Sequence, residues 1–208
     1  MGLVKLNDRG VRNATTFGSV GGGSFTFIKK LTSDGSDDDL SFVDGTSDVV
    51  LDDTYKEYMF ICNNIHPETN TSDFQFQGNA AGGSGYDETI TSTAFKSGHD
   101  EGDTGGQAKI QYETGSDLAQ GTGFQTLGIY SGSDNDQSTS GYLHLFNPSS
   151  TTFVKHFVAR IQSAQANDYS FDTYIAGYFN TTSAIDEIQF KFASGEIQAG
   201  TISLYGIK

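Results

Sequence analysis

The stretch Ala184–Phe192, AIDEIQFKF in one-letter code, decides the fold class. Ile188, Phe190 and Phe192 share one parity, and the residues between them are polar. An apolar residue at every second position is typical of a β-strand with one buried face. We therefore predict that this stretch is a half-buried strand.

The same alternation recurs between turn signals along the chain and predicts eleven further strands. They are Phe25–Leu31, Leu40–Val43, Tyr55–Asn63, Asp73–Gln77, Thr89–Phe95, Gln107–Tyr112, Phe124–Tyr130, Gly141–Phe146, Phe153–Ile161, Tyr169–Phe179 and Thr201–Ile207. Helical periodicity is nearly absent, and strands do not alternate with helices as in a parallel α/β fold. We predict an all-β fold, an antiparallel β-sandwich that is jelly-roll-like and forms a single domain over residues 25–208.

The composition fits one globular domain of 208 residues. The chain carries 26 acidic and 12 basic side chains, a net charge of −14, and no cluster of lysine and arginine offsets it. A phosphate backbone would be repelled, so we predict no nucleic-acid partner. No apolar run approaches the roughly 18 residues of a membrane-spanning helix, so we predict no membrane partner.

The single cysteine, Cys62, excludes an internal disulfide. It lies within a predicted strand beside Phe60 and Ile61, which favours a packed, inert thiol. The first residues, Met1–Arg9, lack the apolar stretch of a signal peptide. We therefore expect that the protein is made in a cytoplasm.

Residues 1–24 differ from the rest because they are polar and glycine-rich, ending in FGSVGGGS, Phe17–Ser24. Two interpretations stay open for this N-terminal arm: a disordered tail, or an extended strap that becomes ordered against a partner. We favour the strap, which makes the segment an attachment arm. Its candidate partner-binding residues are Leu3, Val4, Leu6, Arg9, Val11, Arg12 and Phe17.

No motif of a catalytic or cofactor site is complete. The Gly-x-Ser-x-Gly elbow of hydrolases is missing, and the stretch Gly121–Phe124 lacks the third glycine and the helix of a dinucleotide loop. The four histidines do not have the spacing of zinc ligands. We predict a protein that is not an enzyme and that has no catalytic, cofactor-binding or metal-binding residues.

Three acidic loops concentrate the oxygen ligands that calcium prefers: Asp34–Asp39, His99–Asp103 and Asp134–Asp136. None of them has the spacing of an EF-hand. We favour the interpretation that they are solvated turns, and calcium binding stays an open question.

Aromatic residues occupy both parities of two predicted strands. In Tyr169–Phe179, one parity suits a core face and contains Tyr169, Phe171, Ile175 and Phe179. Tyr174 and Tyr178 share the other parity, and exposed tyrosines are typical of interfaces, so we predict an interface there. The stretch Tyr142–Phe146 is likewise apolar on both sides. Such strands need cover on both faces, from a second sheet or from a neighbouring subunit.

Four segments carry a resemblance to a known group of proteins: Val4–Arg12 (VKLNDRGVR), Thr54–Tyr58 with Asn64–Pro67, Asp117–Gly123 (DLAQGTG) and Gly200–Lys208 (GTISLYGIK). In these segments the chain resembles the virion-associated β-proteins of marine tailed bacteriophages. The matching motifs are structural, so the resemblance implies a role in the particle and carries over no functional residue.

The resemblance implies a non-enzymatic virion structural protein, made in the host bacterial cytoplasm and located in the virion. We expect a head decoration or cement protein that docks on the major capsid protein or another virion protein, as a homo-oligomer for which we favour a trimer. The alternative is a tail-fibre or receptor-binding module that recognises host surface glycan through Tyr174, Tyr178 and the loops around Asp100 and Asp136. A polysaccharide hydrolase, the third hypothesis, would need a cleft with paired carboxylates.

Overall fold

The computed structural model describes residues 24–208, and every regular element in that range is a β-strand. The strands are β1 (Phe25–Thr32), β2 (Asp39–Val43), β3 (Glu57–Pro67), β4 (Ser72–Ala80), β5 (Ile90–Asp100), β6 (Lys109–Tyr112), β7 (Ala119–Gly121), β8 (Gln125–Ser131), β9 (Thr139–Phe146), β10 (Lys155–Gln165), β11 (Tyr169–Phe179), β12 (Ile185–Phe192) and β13 (Ile197–Ile207). The predicted all-β class is confirmed. Among the described residues no helix could cross a membrane.

The thirteen strands form one antiparallel sheet that nearly closes into a barrel. Its longer part runs β1-β13-β3-β9-β10-β11-β5, with β6 and β7 beyond β5. Its shorter part runs β8-β4-β12-β2, and a single residue pair, Gln165 with Ser131, joins β10 to β8. Most neighbours are distant in sequence, as expected when each strand must find the partner that buries its apolar parity.

Aromatic side chains fill the space between the two parts of the sheet. The ring of Phe76 in β4 packs edge-on against Phe157 of β10 at 5.0 Å and Phe179 of β11 at 5.9 Å between centroids. Near the other end, Phe42 of β2 meets Phe60 of β3 at 5.3 Å. All five rings are buried. Contacts of this kind hold the shorter part against the longer part, because each phenyl ring buries a large apolar area.

The sequence located the strands and missed some of their ends. β3 continues four residues past the predicted end at Asn63, through an irregularity in register where Asn64 has a φ of +51°. β5 continues to Asp100 instead of ending at Phe95, because it pairs with β11 along its whole length. β7 lies in a segment that was predicted as a connection.

The proposed arm, residues 1–24, lies outside the described residues except for Ser24, which precedes β1. The same holds for its candidate partner-binding residues, Leu3, Val4, Leu6, Arg9, Val11, Arg12 and Phe17. The arm and its contacts therefore stay predictions. The domain that was predicted from residue 25 onward begins where β1 begins.

Candidate interaction surface

The outward-pointing side chains of seven neighbouring strands, β1, β13, β3, β9, β10, β11 and β5, form what we call the outer face. In β13, β3, β9, β10, β11 and β5 buried positions largely alternate with half-buried or exposed ones, so one parity lies in the core and the other outside. β1 has no fully buried residue, and its Ile28 and Leu31 pack against the core. Ten large hydrophobic side chains are exposed in residues 24–208. Eight of them lie on the outer face or on the adjoining β6: Phe25, Phe27, Ile61, Phe95, Ile110, Tyr112, Tyr142 and Val158.

Strand register places these side chains in rows across the sheet. One row crosses six strands and consists of Ile61, Tyr142, Arg160, Tyr174, Phe95 and Tyr112. The next row consists of Phe27, Tyr205, Met59, His144, Val158, Ala176 and Thr93. Directly opposite side chains on neighbouring strands lie about 5 Å apart and contact one another. Six of the eight exposed apolar residues thus lie in two adjacent rows, which we call the apolar patch.

The centre of the first row is ordered by stacking and by charge. The rings of Phe95 and Tyr174 are parallel, with centroids 4.7 Å apart and an interplanar angle of 3°. The Arg160 guanidinium lies 5.0 Å from the Tyr174 ring. It donates from Nε to both carboxylate oxygens of Asp172 and from Nη2 to Oδ2. The Tyr174 hydroxyl donates to the same carboxylate at 3.0 Å. These contacts hold the Tyr174 and Phe95 rings in place within the protomer.

The β1 end of the outer face carries a second aromatic group. Phe25 and Phe27 pack edge-on against Tyr205, at 6.3 Å and 5.6 Å between centroids. Both phenylalanines keep more than half of their surface in solvent, 54% and 56%. Their exposure leaves an apolar edge beside the point where the described chain begins.

Two apolar recesses adjoin on the outer face at His156. One, of about 330 Å³, is lined by Thr91, Thr93, Val158, Ala176 and Tyr178, among others. The other, of about 480 Å³, lies between Phe146 and the exposed ring of Phe153. Recesses of this size accept a side chain of a partner, the arrangement that anchors protein–protein contacts.

Charge is nearly balanced on this surface, although the protein is strongly acidic. The described residues include 9 basic and 25 acidic side chains. The outward positions of the seven strands carry only Lys30, Glu57, Arg160 and Asp172 as formal charges. Arg160 and Asp172 lie 2.7 Å apart, and Glu57 lies 2.9 Å from Nε2 of His144. The outer face therefore contributes no net charge.

The inward side of the same sheet uses charge differently. Lys96 of β5 points inward, and its Nζ lies 2.7 Å from the Glu113 carboxylate and 4.7 Å from the centre of the Phe171 ring. Lys155 of β10 is fully buried and donates to the carbonyl oxygens of Phe153 and Thr181, at 2.8 Å and 3.0 Å. Burial lowers the pKa of Lys155. Both lysines are satisfied by contacts within the protomer, so they serve the fold.

Two of the three acidic loops use carboxylates for turn hydrogen bonds. Asp100 accepts from the Thr104 hydroxyl at 2.5 Å and from the Thr104 amide at 2.7 Å, and these bonds lower the pKa of Asp100. In the first loop, Asp34 accepts from the backbone and hydroxyl of Ser36. Asp134 and Asp136 line a recess of about 220 Å³. Within residues 24–208, no three histidine, cysteine or acidic side chains are grouped to hold a metal ion.

The two tyrosines that the sequence predicted for an interface lie on the outward side of β11, as their positions in the alternating pattern indicated. Tyr174 and Tyr178 are half-buried and point outward, where Tyr174 belongs to the stacked row and Tyr178 lines the smaller recess. Their role in an interface stays a prediction. Cys62 is buried, and burial raises the pKa of its thiol to about 12, which disfavours the thiolate needed for nucleophilic chemistry.

Most of the outer face was not named from the sequence. Phe95, Tyr112 and Ile110 lie on β5 and β6, and each was assigned to a strand without a face. The alternation of apolar residues in these strands was visible in the sequence. It identifies an outward residue only when the strand pairing shows which side of each strand faces the core.

The chain matches no protein-family model, and no curated protein or solved structure matches it. The interaction surface is therefore assigned on its own geometry.

Proposed function

We propose that this protein is a non-enzymatic structural protein of a bacteriophage virion, most simply a head decoration or cement protein that docks on the capsid. The observation that carries the proposal is the outer face, because exposed apolar side chains aligned across neighbouring strands are typical of a surface that contacts another protein. The resemblance of four segments to virion-associated phage β-proteins supports the setting. In that setting the protein is made in the host cytoplasm and functions in the particle.

The N-terminal arm is the proposed attachment to the shell. Residues 1–23 carry three basic and one acidic side chain, whereas the described residues carry 25 acidic ones. The partner is the major capsid protein or another virion protein, and the protein acts as a homo-oligomer, with a trimer favoured. Deleting residues 2–23 is expected to abolish binding to particles and to leave the β-domain folded, as measured by co-sedimentation and circular dichroism. Unimpaired binding would contradict the role of the arm.

The finer fold assignment belongs to the same proposal. We infer that the curled sheet is a flattened β-sandwich of the jelly-roll type, in which β8-β4-β12-β2 packs across the core on the longer part. Support comes from the rings of Phe42 and Phe76 on the shorter part, which contact Phe60 and Phe157 on the longer part. Such a fold suits a compact module that stands on a symmetric shell.

The copy number in purified virions tests the function most simply. Quantitative mass spectrometry would compare this protein with the major capsid protein. A ratio within a few-fold of one is expected for a protein on the head lattice. A ratio lower by about two orders of magnitude would favour the tail, and complete absence from virions would contradict a structural role.

The second candidate, a tail-fibre or receptor-binding module for host glycan, is favoured by one specific feature. Beside Gly141 a small recess of about 210 Å³ brings the Tyr142 ring together with Arg160 and Asp172. Aromatic faces with charged hydrogen-bonding groups are what sugar recognition uses. A glycan array compares the wild type with Arg160→Ala. Saturable binding that this substitution removes would move the glycan hypothesis to the front, and a decoration protein is expected to show none.

A further inference from the structure

We propose that the outer face is the surface through which copies of this chain associate with one another. The inference deepens the proposed function, on which it rests for its biological setting, by naming the occupant of the apolar patch. The occupant is a second copy of the same chain, packed over the two rows, which together cross all seven strands of the outer face.

The composition of the surface is that of an interface core. Aromatic side chains and an arginine are enriched there, and lysine and acidic residues are depleted, which is the pattern that distinguishes interface cores from ordinary protein surface. Tyr142, Tyr174 and Phe95 stand side by side in one row, with Arg160 between the first two. Such residues dominate binding energy when a partner excludes water from them.

The charge distribution indicates the same chain as the partner. Two copies with a net charge of −14 repel each other, and repulsion is smallest where the contact carries no net charge. Of the 25 described acidic side chains, the outer face bears only Glu57 and Asp172, and each has a cationic or imidazole group within 3 Å. A surface that binds a basic partner would need acidic side chains without an ion-pair partner. Such side chains are abundant on the rest of the protein and not on the outer face.

The area is sufficient for a stable contact. Seven strands at a spacing of about 4.8 Å span roughly 29 Å, and four outward residues along each strand span roughly 20 Å. The projected area is thus roughly 600 Å², and protruding side chains raise the accessible area toward the about 800 Å² per partner of a standard interface. This area is that of the whole outer face, which includes polar positions such as Arg160 and Thr93.

The neighbouring strand edge is an unsuitable alternative contact. Among the described strands none pairs with the outer side of β1, and this strand carries the adjacent lysines Lys29 and Lys30. Lysines on an edge strand oppose pairing between strands of different molecules. Copies are therefore expected to meet through the face of the sheet and not through the β1 edge.

The experiment is sedimentation equilibrium of the full-length protein over a range of concentrations, with two matched substitutions. Ala176→Glu places a carboxylate on the outer face, at an exposed position of β11 between Val158 and Thr93. Ala81→Glu makes the same change at an exposed position after β4, away from the face. Thr93→Glu on β5 is the second face variant, and circular dichroism establishes that each variant is folded.

The wild type is expected to form a dimer or trimer, and Ala81→Glu to match it. Ala176→Glu and Thr93→Glu should weaken association at least about tenfold, since a carboxylate buried without a partner costs more than the about 1.4 kcal/mol of a tenfold change. Raising the salt concentration should strengthen wild-type association, because salt screens repulsion between like-charged copies.

Two results would overturn the inference. One is a monomeric wild type at every concentration, and the other is an oligomer that both face variants leave intact. Both results come from the purified protein and test the interface alone. The copy number in virions tests the proposed function alone. A protein that associates through this face but is absent from virions would contradict the proposed function and leave the interface established.

Discussion

The two faces of the longer part of the sheet are built by the same strands, but one face is buried in the core and the other is exposed. In β10, inward Phe157, Ala159 and Ile161 are buried, whereas outward Val158 and Arg160 are exposed. The inward set meets the shorter part of the sheet and completes the core. The outward set is equally rich in aromatic residues across the neighbouring strands, and within residues 24–208 these side chains stay exposed or half-buried. The first set forms the core, and the second set forms the surface for which we propose self-association.

The two faces also hold their ion pairs differently. Lys96 and Glu113 pair on the inward side, with 8% and 16% of their side-chain surface exposed. Arg160 and Asp172 pair on the outward side, with 53% and 22% exposed. A buried pair is costly to break because one charge is left without solvent, whereas water replaces a lost partner at an exposed pair. The comparison predicts that equivalent changes cost unequal amounts on the two faces.

The largest expected difference is between two phenylalanines. Phe76→Ala removes a fully buried ring that contacts Phe157, Phe179 and Phe190, and should lower the free energy of unfolding by about 3–5 kcal/mol. Phe95→Ala removes an outward ring that stacks on Tyr174, and should cost only about 0.5–1.5 kcal/mol. Urea unfolding measures the loss of stability in both variants. Equal losses would contradict the claim that only the inward face contributes strongly to the stability of the fold.

The ion pairs give the next largest difference. Glu113→Gln leaves Lys96 charged, inward and without its carboxylate, and should cost about 2 kcal/mol. Asp172→Asn weakens an exposed pair and should cost less than about 1 kcal/mol. Denaturant midpoints of the two variants, measured under conditions where the protein is monomeric, test the ranking. A larger loss for Asp172→Asn would reverse it.

Adjacent residues of β11 allow a comparison one peptide apart. A Cβ at Gly177 would lie 2.7 Å from the Phe157 ring and 2.7 Å from the Thr91 carbonyl oxygen. Gly177→Ala should therefore destabilise by about 1–3 kcal/mol through overpacking. Ala176→Ser, on the exposed side, should stay within about 0.5 kcal/mol of the wild type. Thermal unfolding would detect the difference, and identical melting temperatures would show that the inward packing tolerates the extra methyl group.

The smallest effect concerns acid stability at the end of β5, where Asp100 points inward and His99 outward. Hydrogen bonds from Thr104 hold the folded pKa of Asp100 below its unfolded value, so ionised Asp100 stabilises the protein above the unfolded pKa of about 3.9. That stabilisation is lost as pH falls through the folded pKa. Thr104→Val should lower stability at neutral pH, and the deficit should shrink on acidification. A deficit that does not depend on pH would contradict this role.

Much of the fold was predictable because it depends on local pattern. Period-two alternation located twelve of the thirteen strands, and it placed Phe171, Ile175 and Phe179 of β11 inward. β7 was missed because three residues, Ala119–Gly121, are too few to show alternation. The strand order was not predictable, since pairings such as β13 with β3 join segments more than a hundred residues apart.

The candidate site was predictable only in part for a related reason. Tyr174 and Tyr178 stood out because β11 is aromatic on both parities. Phe95 and Tyr112 became part of the same surface only through the pairing of β5 with β11 and β6. Lys96 was unexpected inside the fold, because a lysine at an inward parity normally indicates a loop and its partner Glu113 is 17 residues away in the sequence.

Oxidative footprinting by hydroxyl radicals most directly tests the claim that copies associate through the outer face. It measures the solvent exposure of residues on that face and elsewhere in one sample. The full-length protein would be labelled at low and high concentration and analysed by peptide mass spectrometry. Phe95 and Tyr142, exposed on the outer face, should become several-fold less reactive at high concentration, while Tyr130, exposed on β8 outside that face, should not change. Equal reactivity of Phe95 and Tyr142 at both concentrations would contradict the account.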